Sequence, residues 1–162
     1  MKQKLSTQAL TLSAVGIVLF LVSVPRVHQF ALQDNERDAK SSLLTLFSTV
    51  YADDGGRANR QLPAPEAWDQ EVKCRLYDAH SSDDSELLQR HGYLLELAHR
   101  ADGSEFLRAW PTEHGNTGRS AFLLDPQRGL IEHDNTDGTW SGATSDRPDG
   151  TEPGWQPESP SR

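Results

Sequence analysis

Apolar positions fall into two contrasting patterns along this chain. From Ala9 to Val24 they are nearly continuous, and the 21 residues from Leu5 to Pro25 carry no charge. A helix of that length spans about 31 Å, close to the hydrocarbon thickness of a bilayer. Beyond Pro25 the pattern turns amphipathic. Ala39, Leu43, Leu46 or Phe47, and Val50 recur at spacings of three and four, with Asp34, Glu36, Arg37, Asp38 and Lys40 between or before them. That spacing predicts a helix laying one face on a packed partner. Its end is expected near Tyr51, where Asp53-Asp54-Gly55-Gly56 breaks the pattern, and Pro25 is placed to kink the helix or divide it.

Further along, period-two alternation predicts short strands over Glu71–Asp78, Gly92–Arg100, Glu105–Pro111, Arg119–Asp125 and Leu130–Asp134. Ala101-Asp102-Gly103-Ser104 and Pro126-Gln127-Arg128-Gly129 read as hairpin turns. Ser82-Asp83-Asp84-Ser85-Glu86 reads as the cap of a short helix reaching His91 and carrying Leu87 and Leu88. Together these elements predict an α+β class: a long N-terminal membrane-spanning helix packed on a small antiparallel sheet of about three to five strands. The domain plan is a membrane anchor over 1–25, an amphipathic helix over 26–54, and a sheet domain over 55–140 that opens with a Gly/Pro loop at 55–70. A tail over 141–162 follows. Its Pro148, Pro153, Pro157 and Pro160 lie among Gly, Ser, Asp and Glu, which offer too little apolar surface to fold, so disorder is expected there.

The apolar block fits an anchor better than a cleaved signal. It ends in Val22-Ser23-Val24-Pro25-Arg26, which lacks the small-residue cleavage pattern. Lys2 and Lys4 favour a cytoplasmic N-terminus, so residues 26–162 are expected in the periplasm and the chain in a bacterial inner membrane as a single-pass protein. Charge narrows the partners. The formal net charge is −8, and Lys2 and Lys4 are the only charges in the first 25 residues, so the remainder carries −10. That balance repels a phosphate backbone and excludes nucleic acid as an expected partner. The bilayer through residues 5–25, other envelope proteins and like subunits are the expected partners, with no small-molecule substrate evident.

Candidate chemistry is sparse. Cys74 is the only cysteine, so no intrachain disulfide forms, and Val72-Lys73-Cys74-Arg75-Leu76 reads as a strand with a structural thiol. His28, His80, His91, His99, His114 and His133 lack the close spacing of a zinc site. Asp134-Asn135-Thr136-Asp137-Gly138 has the front of an oxygen-ligand calcium loop, with Asp134 and Asp137 as metal candidates. Ser145 stands where an EF-hand has its closing Glu, and a plain Asx/Gly turn accounts for the same residues. No other cofactor is expected, and no nucleophile–base pair can be nominated, so the chain reads as non-catalytic.

A basic start, an apolar helix running into an amphipathic one, a Gly/Pro loop and a C-terminal antiparallel sheet resemble the type IV pilin and pseudopilin superfamily. The local likeness lies in Gly92-Tyr93-Leu94-Leu95-Glu96-Leu97, Phe106-Leu107-Arg108-Ala109-Trp110-Pro111, His114-Gly115-Asn116-Thr117-Gly118-Arg119-Ser120-Ala121-Phe122 and Asp125-Pro126-Gln127-Arg128-Gly129-Leu130-Ile131. It covers roughly residues 5–135. The resemblance implies a pilin-like envelope subunit in a type II secretion or pilus-type assembly, and some members of the group bind calcium near their C-terminal sheet. The chain departs from the group at its start. Leu5-Ser6-Thr7-Gln8-Ala9-Leu10-Thr11-Leu12 replaces the prepilin processing site, and no acid lies within the apolar stretch. A membrane-tethered binding module that forms no filament is the alternative expectation.

Overall fold

Alternating side chains in the C-terminal half build a sheet with two covered faces, and a single helix covers one of them. In the computed structural model the described residues are 2–51, 76–81, 87–100, 103–143 and 146–158, with helix side chains described from 24 to 48. Helix α1 is Lys2–Tyr51. The strands are β1 (His80–Ser81), β2 (Leu88–Arg90), β3 (Tyr93–His99), β4 (Glu105–Pro111), β5 (Ala121–Asp125), β6 (Gly129–His133) and β7 (Gln156–Pro157). They form one antiparallel sheet in sequential order, β1 to β7.

Register assigns every strand residue to a face. Leu95 pairs with Ala109 and Leu97 with Leu107, while Leu107 pairs with Leu124 and Ala109 with Phe122. Side chains at paired positions share a face, so these residues form the front. Onto it α1 lays Ala39, Leu43 and Leu46, and Leu43 is fully buried. Burying a leucine of this kind contributes about 1.5–3 kcal/mol, which exceeds what helix propensity alone supplies over the same turn. Ser42 and Thr45 return their hydroxyls to the carbonyls of Asp38 and Ser41, which lets polar side chains sit within the helix.

Turns set that register. His91 and Gly92 both have positive φ, 44° and 76°, and join Arg90 to Tyr93 directly. Two positive φ values give the mirror-image turn whose twist matches that of a hairpin. A Cβ at Gly92 would also lie 2.6 Å from the Thr117 side chain. Between β5 and β6, Asp125 Oδ1 accepts the N–H groups of Gln127 and Arg128.

The rear face carries Leu94, Glu96, Ala98, Phe106, Arg108, Trp110, Leu123 and Ile131, and Trp140, Ala143 and Trp155 pack over it. The tail is thus not free of structure where it is described. Residues 146–158 form a strap ending in β7, which pairs Ile131 with Pro157 and Glu132 with Gln156. Trp155 packs against both rear clusters, Trp110 Nε1 donates to the Gly142 carbonyl at 2.9 Å, and Pro148 is buried. Residues 159–162 lie outside the described set.

Other expectations are also corrected. Seven strands replace the expected three to five. Leu88 belongs to β2 rather than to a short helix, and the expected cap at 82–86 lies outside the described residues. Leu76–Ala79 is a turn closed by Ala79 N–H to the Leu76 carbonyl at 2.8 Å, so the strand expected over Glu71–Asp78 does not reach Asp78. Its remainder, with Cys74 and the loop at 55–70, is outside the described residues.

The membrane expectation is overturned. Among the described residues no helix is long and apolar enough to cross a membrane. Arg26, Asp34, Glu36, Arg37, Asp38 and Lys40 punctuate the described helix side chains, and each charge is costly in hydrocarbon. The side chains of 5–23, on which the expected span mostly rests, fall outside the described set. A membrane-spanning fold class and a single-pass inner-membrane location with a periplasmic domain are corrected accordingly. What the structure has is a helix packed on a seven-stranded antiparallel sheet.

Candidate interaction surface

Three polar clusters fix α1 on the sheet, and they locate where the helix leaves it. At its middle, Arg90 binds Asp78 at 2.7 Å, Ser42 Oγ at 2.7 Å and Asp38 at 3.4 Å. Both ring nitrogens of His91 face carboxylates, Nδ1 facing Asp38 and Nε2 facing Asp78 at 2.8 Å. The Arg90 hydrogen bond outweighs desolvation and holds the Asp78 carboxyl below the usual carboxylate range.

Closer to the helix N-terminus, the loop between β4 and β5 meets α1. Asn35 donates to the Thr117 carbonyl at 2.8 Å, and Glu36 accepts the N–H groups of Arg119 and Ser120. His28 Nε2 lies 3.0 Å from the Gly115 carbonyl oxygen. Tyr93 supports this loop from below by donating its hydroxyl to the Ser120 carbonyl at 3.0 Å, and burial pushes the phenol pKa up. A Cβ at Gly118 would lie 2.0 Å from that hydroxyl, so only glycine fits there.

The third cluster joins Lys40 to Glu132 at 2.7 Å and Glu158 at 3.4 Å. Desolvation lowers the Lys40 pKa, but the two carboxylates outweigh it and raise it. Asp134, Gln156 and Pro157 complete a polar cavity of about 260 Å³ around this ammonium group. Lys40 fills the role a bound cation would take there.

The two calcium candidates are reached by the same turn but serve it differently. Asp134 is exposed at the cavity edge. Asp137 is exposed on the turn, where hydrogen bonds from Thr139 hold its carboxyl below the usual range. Asn135 organises the turn. It is fully buried with φ 45°, accepts the Trp140 N–H at 3.1 Å and donates to the Trp140 carbonyl at 2.9 Å. Its own N–H bonds His133 Nδ1, while His133 Nε2 lies 3.0 Å from the Pro153 carbonyl oxygen, so both ring nitrogens are engaged. Among the described residues, no three His, Cys, Asp or Glu side chains are grouped to hold a metal.

The open surface lies on α1 around and before His28, on the side turned away from the Gly115 contact. Every described residue from Val24 to Ala31 is exposed, and Leu32 is the first buried one. Val24, Val27 and Phe30 are 48%, 67% and 64% exposed. At 100° per residue, Phe30 and Val27 point roughly 140° or more away from Leu32 and Leu43, while Val24 lies roughly 80–100° from those two and about 60° from Val27. Val24, Val27 and Phe30, spaced three residues apart, therefore form one apolar stripe turned away from the Leu32 and Leu43 side of the helix. Sequence periodicity pointed to the packing stripe, but the exposed stretch shows only once the sheet's edge is placed against the helix. No family model, curated protein or solved structure matches this chain.

Proposed function

We propose that the chain is a non-catalytic, pilin-like or pseudopilin-like assembly subunit, whose helix beyond the sheet packs against the same helix of neighbouring copies. The observation that carries this reading is the exposure of Val24, Val27 and Phe30 on a helix that is otherwise well seated from Leu32 onward. Isolated apolar residues on a surface are ordinary, but three within seven positions of one helix form a stripe suited to helix–helix packing. The polar clusters at Asp38, Asn35 and His28 serve the same end, since they hold the helix at a fixed angle to the sheet.

Chemical cross-linking of the full chain in solution tests this reading. Links between residues 24–31 of two copies are expected, rising with concentration. Links confined to sheet residues, or a chain that stays uncross-linked at every concentration, would contradict it.

A further inference from the structure

The outward face of α1 carries a pattern that its packing on the sheet does not explain. Val27, Phe30, Asp34, Arg37, Ser41 and Leu44 are all exposed. At 100° per residue they fall within about 100° of one another around the helix. Their mean direction lies about 180° from that of Leu32, Ala39, Leu43 and Leu46, which are buried. The six residues are thus turned away from the sheet. Their spacing alternates three and four, which is the repeat of a helix seam that packs on a second helix. The series three, four, three, four, three also reads the same in reverse. A two-fold axis between Asp34 and Arg37 therefore lays the seam antiparallel on a copy of itself, position over position.

Chemistry selects that register. Asp34 of one copy meets Arg37 of the other, and symmetry repeats the contact. Val27 meets Leu44, apolar on apolar, and Phe30 meets Ser41, a large side chain over a small one. Moving one copy by a heptad in either direction sets Asp34 opposite Leu44 or Phe30, and Arg37 opposite Ser41 or Val27, so both charges lose their partner. A parallel pair in register sets Asp34 on Asp34 and Arg37 on Arg37, like on like. Within one chain Arg37 Nη1 binds Asp34 Oδ1 at 3.2 Å, and both side chains stay exposed to a second partner.

We propose that the outward face of α1 docks on the same face of a second copy, antiparallel, with Asp34 and Arg37 exchanging partners at the centre. This rests on the reading that copies associate through this helix, and it fixes the geometry of that contact. Val27 and Phe30 of one copy lie over Leu44 and Ser41 of the other. Ala31 of one copy then stands about 16 Å from Ala31 of the other, within reach of a flexible cross-linker. The seam is short and half polar, so pairs form as concentration rises and the dilute chain unfolds as a monomer.

Cysteines in the seam test the register. Positions 27 and 44 are about 25 Å apart along their own helix, so a disulfide between them forms only across two chains. Full-length Val27→Cys/Leu44→Cys, on a Cys74→Ser background, is concentrated and mildly oxidised, and peptide mapping counts each kind of link. Antiparallel docking predicts links between positions 27 and 44 about tenfold or more above 27-to-27 and 44-to-44 links together. Links without that excess overturn the proposal. Mapping identifies each link by its peptides, so Cys74 is retained if its replacement disturbs folding.

Charge variants give a second readout. Asp34→Arg brings guanidinium groups together across the axis, and Arg37→Asp brings carboxylates together. Each alone is expected to sediment as a monomer at concentrations where the parent associates. Mixed in equal amounts, the two variants are complementary and association returns. Either variant associating as the parent does, or a mixture that stays monomeric, overturns the proposal. The two readings fail separately. A parent that associates without the excess of 27-to-44 links removes this register and leaves assembly standing, whereas a parent that stays monomeric removes both.

Discussion

The guanidinium of Arg147 closes over the carboxylate of Glu96, joining the strap to the centre of the sheet's rear face. Arg108 binds the same carboxylate at 2.7 Å from the neighbouring strand. Glu96 and Arg108 side chains are only 7% and 12% exposed, while that of Arg147 is 31% exposed. Removing one member therefore has unequal consequences. Glu96→Ala leaves Arg108 buried beside no carboxylate at that position and is expected to cost about 3–5 kcal/mol. Arg147→Ala leaves Glu96 paired with Arg108 and is expected to cost about 1 kcal/mol. Urea unfolding of the two variants measures the difference, and equal losses would show that the strap, not Arg108, carries the pair.

Leu43 and Leu44 are neighbours in sequence that point about 100° apart around α1. Leu43 is fully buried and Leu44 is 49% exposed. Leu43→Ala is expected to destabilise the fold by about 3–4 kcal/mol, because it opens a cavity against Tyr93 and Phe122. Leu44→Ala is expected to stay within about 0.5 kcal/mol of the parent. Thermal unfolding followed by circular dichroism reads both.

Asp125 makes acid stability predictable. Burial alone would raise its pKa, but the N–H groups of Gln127 and Arg128 and the Arg100 guanidinium at 2.8 Å together hold it below its ordinary value of 3.8. A depressed folded-state pKa contributes stability above the unfolded value, and that contribution is lost as pH falls through the folded one. Asp78 behaves in the same direction through Arg90. Unfolding midpoints measured from neutral pH downward are therefore expected to fall steeply below the ordinary carboxylate range. Asp125→Asn is expected to lower stability at neutral pH and to flatten that acid loss.

Much of the sheet could be read from the chain before its structure. Tyr93, Leu95 and Leu97 alternate with Leu94, Glu96 and Ala98, and the structure places the two sets on opposite faces. The Ala39, Leu43 and Leu46 stripe was equally visible, because a helix facing one layer repeats its apolar positions. The strap was not. Its burial depends on Trp140 and Trp155, on backbone carbonyls of Pro148 and Gly150, and on one charged side chain, none of which leaves a period in sequence. Composition suggested disorder because it counts apolar residues and not the arginines waiting on the sheet. Leu87 and Leu88 followed acidic and serine residues that mimic a helix cap, but pairing with Leu95 of β3 decided the state of Leu88.

The candidate calcium turn shows a related limit. Asp134 and Asp137 carried the sequence signal, yet Asn135 between them is the residue that builds the turn, through two hydrogen bonds to the Trp140 backbone. A buried amide and an exposed carboxylate look alike in a short polar run. Likewise the length of the apolar block suggested a membrane span, while the described helix is one that seats on a sheet and then runs past it.

Sedimentation velocity of the full chain over a range of concentrations tests the assembly reading most directly, with Val27→Asp/Phe30→Asp measured beside it. Both substituted residues are exposed, so the unfolding midpoint of the variant is expected to match the parent. The parent is expected to associate as concentration rises, and the variant to remain monomeric. A parent that sediments as a monomer throughout, or a variant that associates as the parent does, would contradict assembly through the exposed helix.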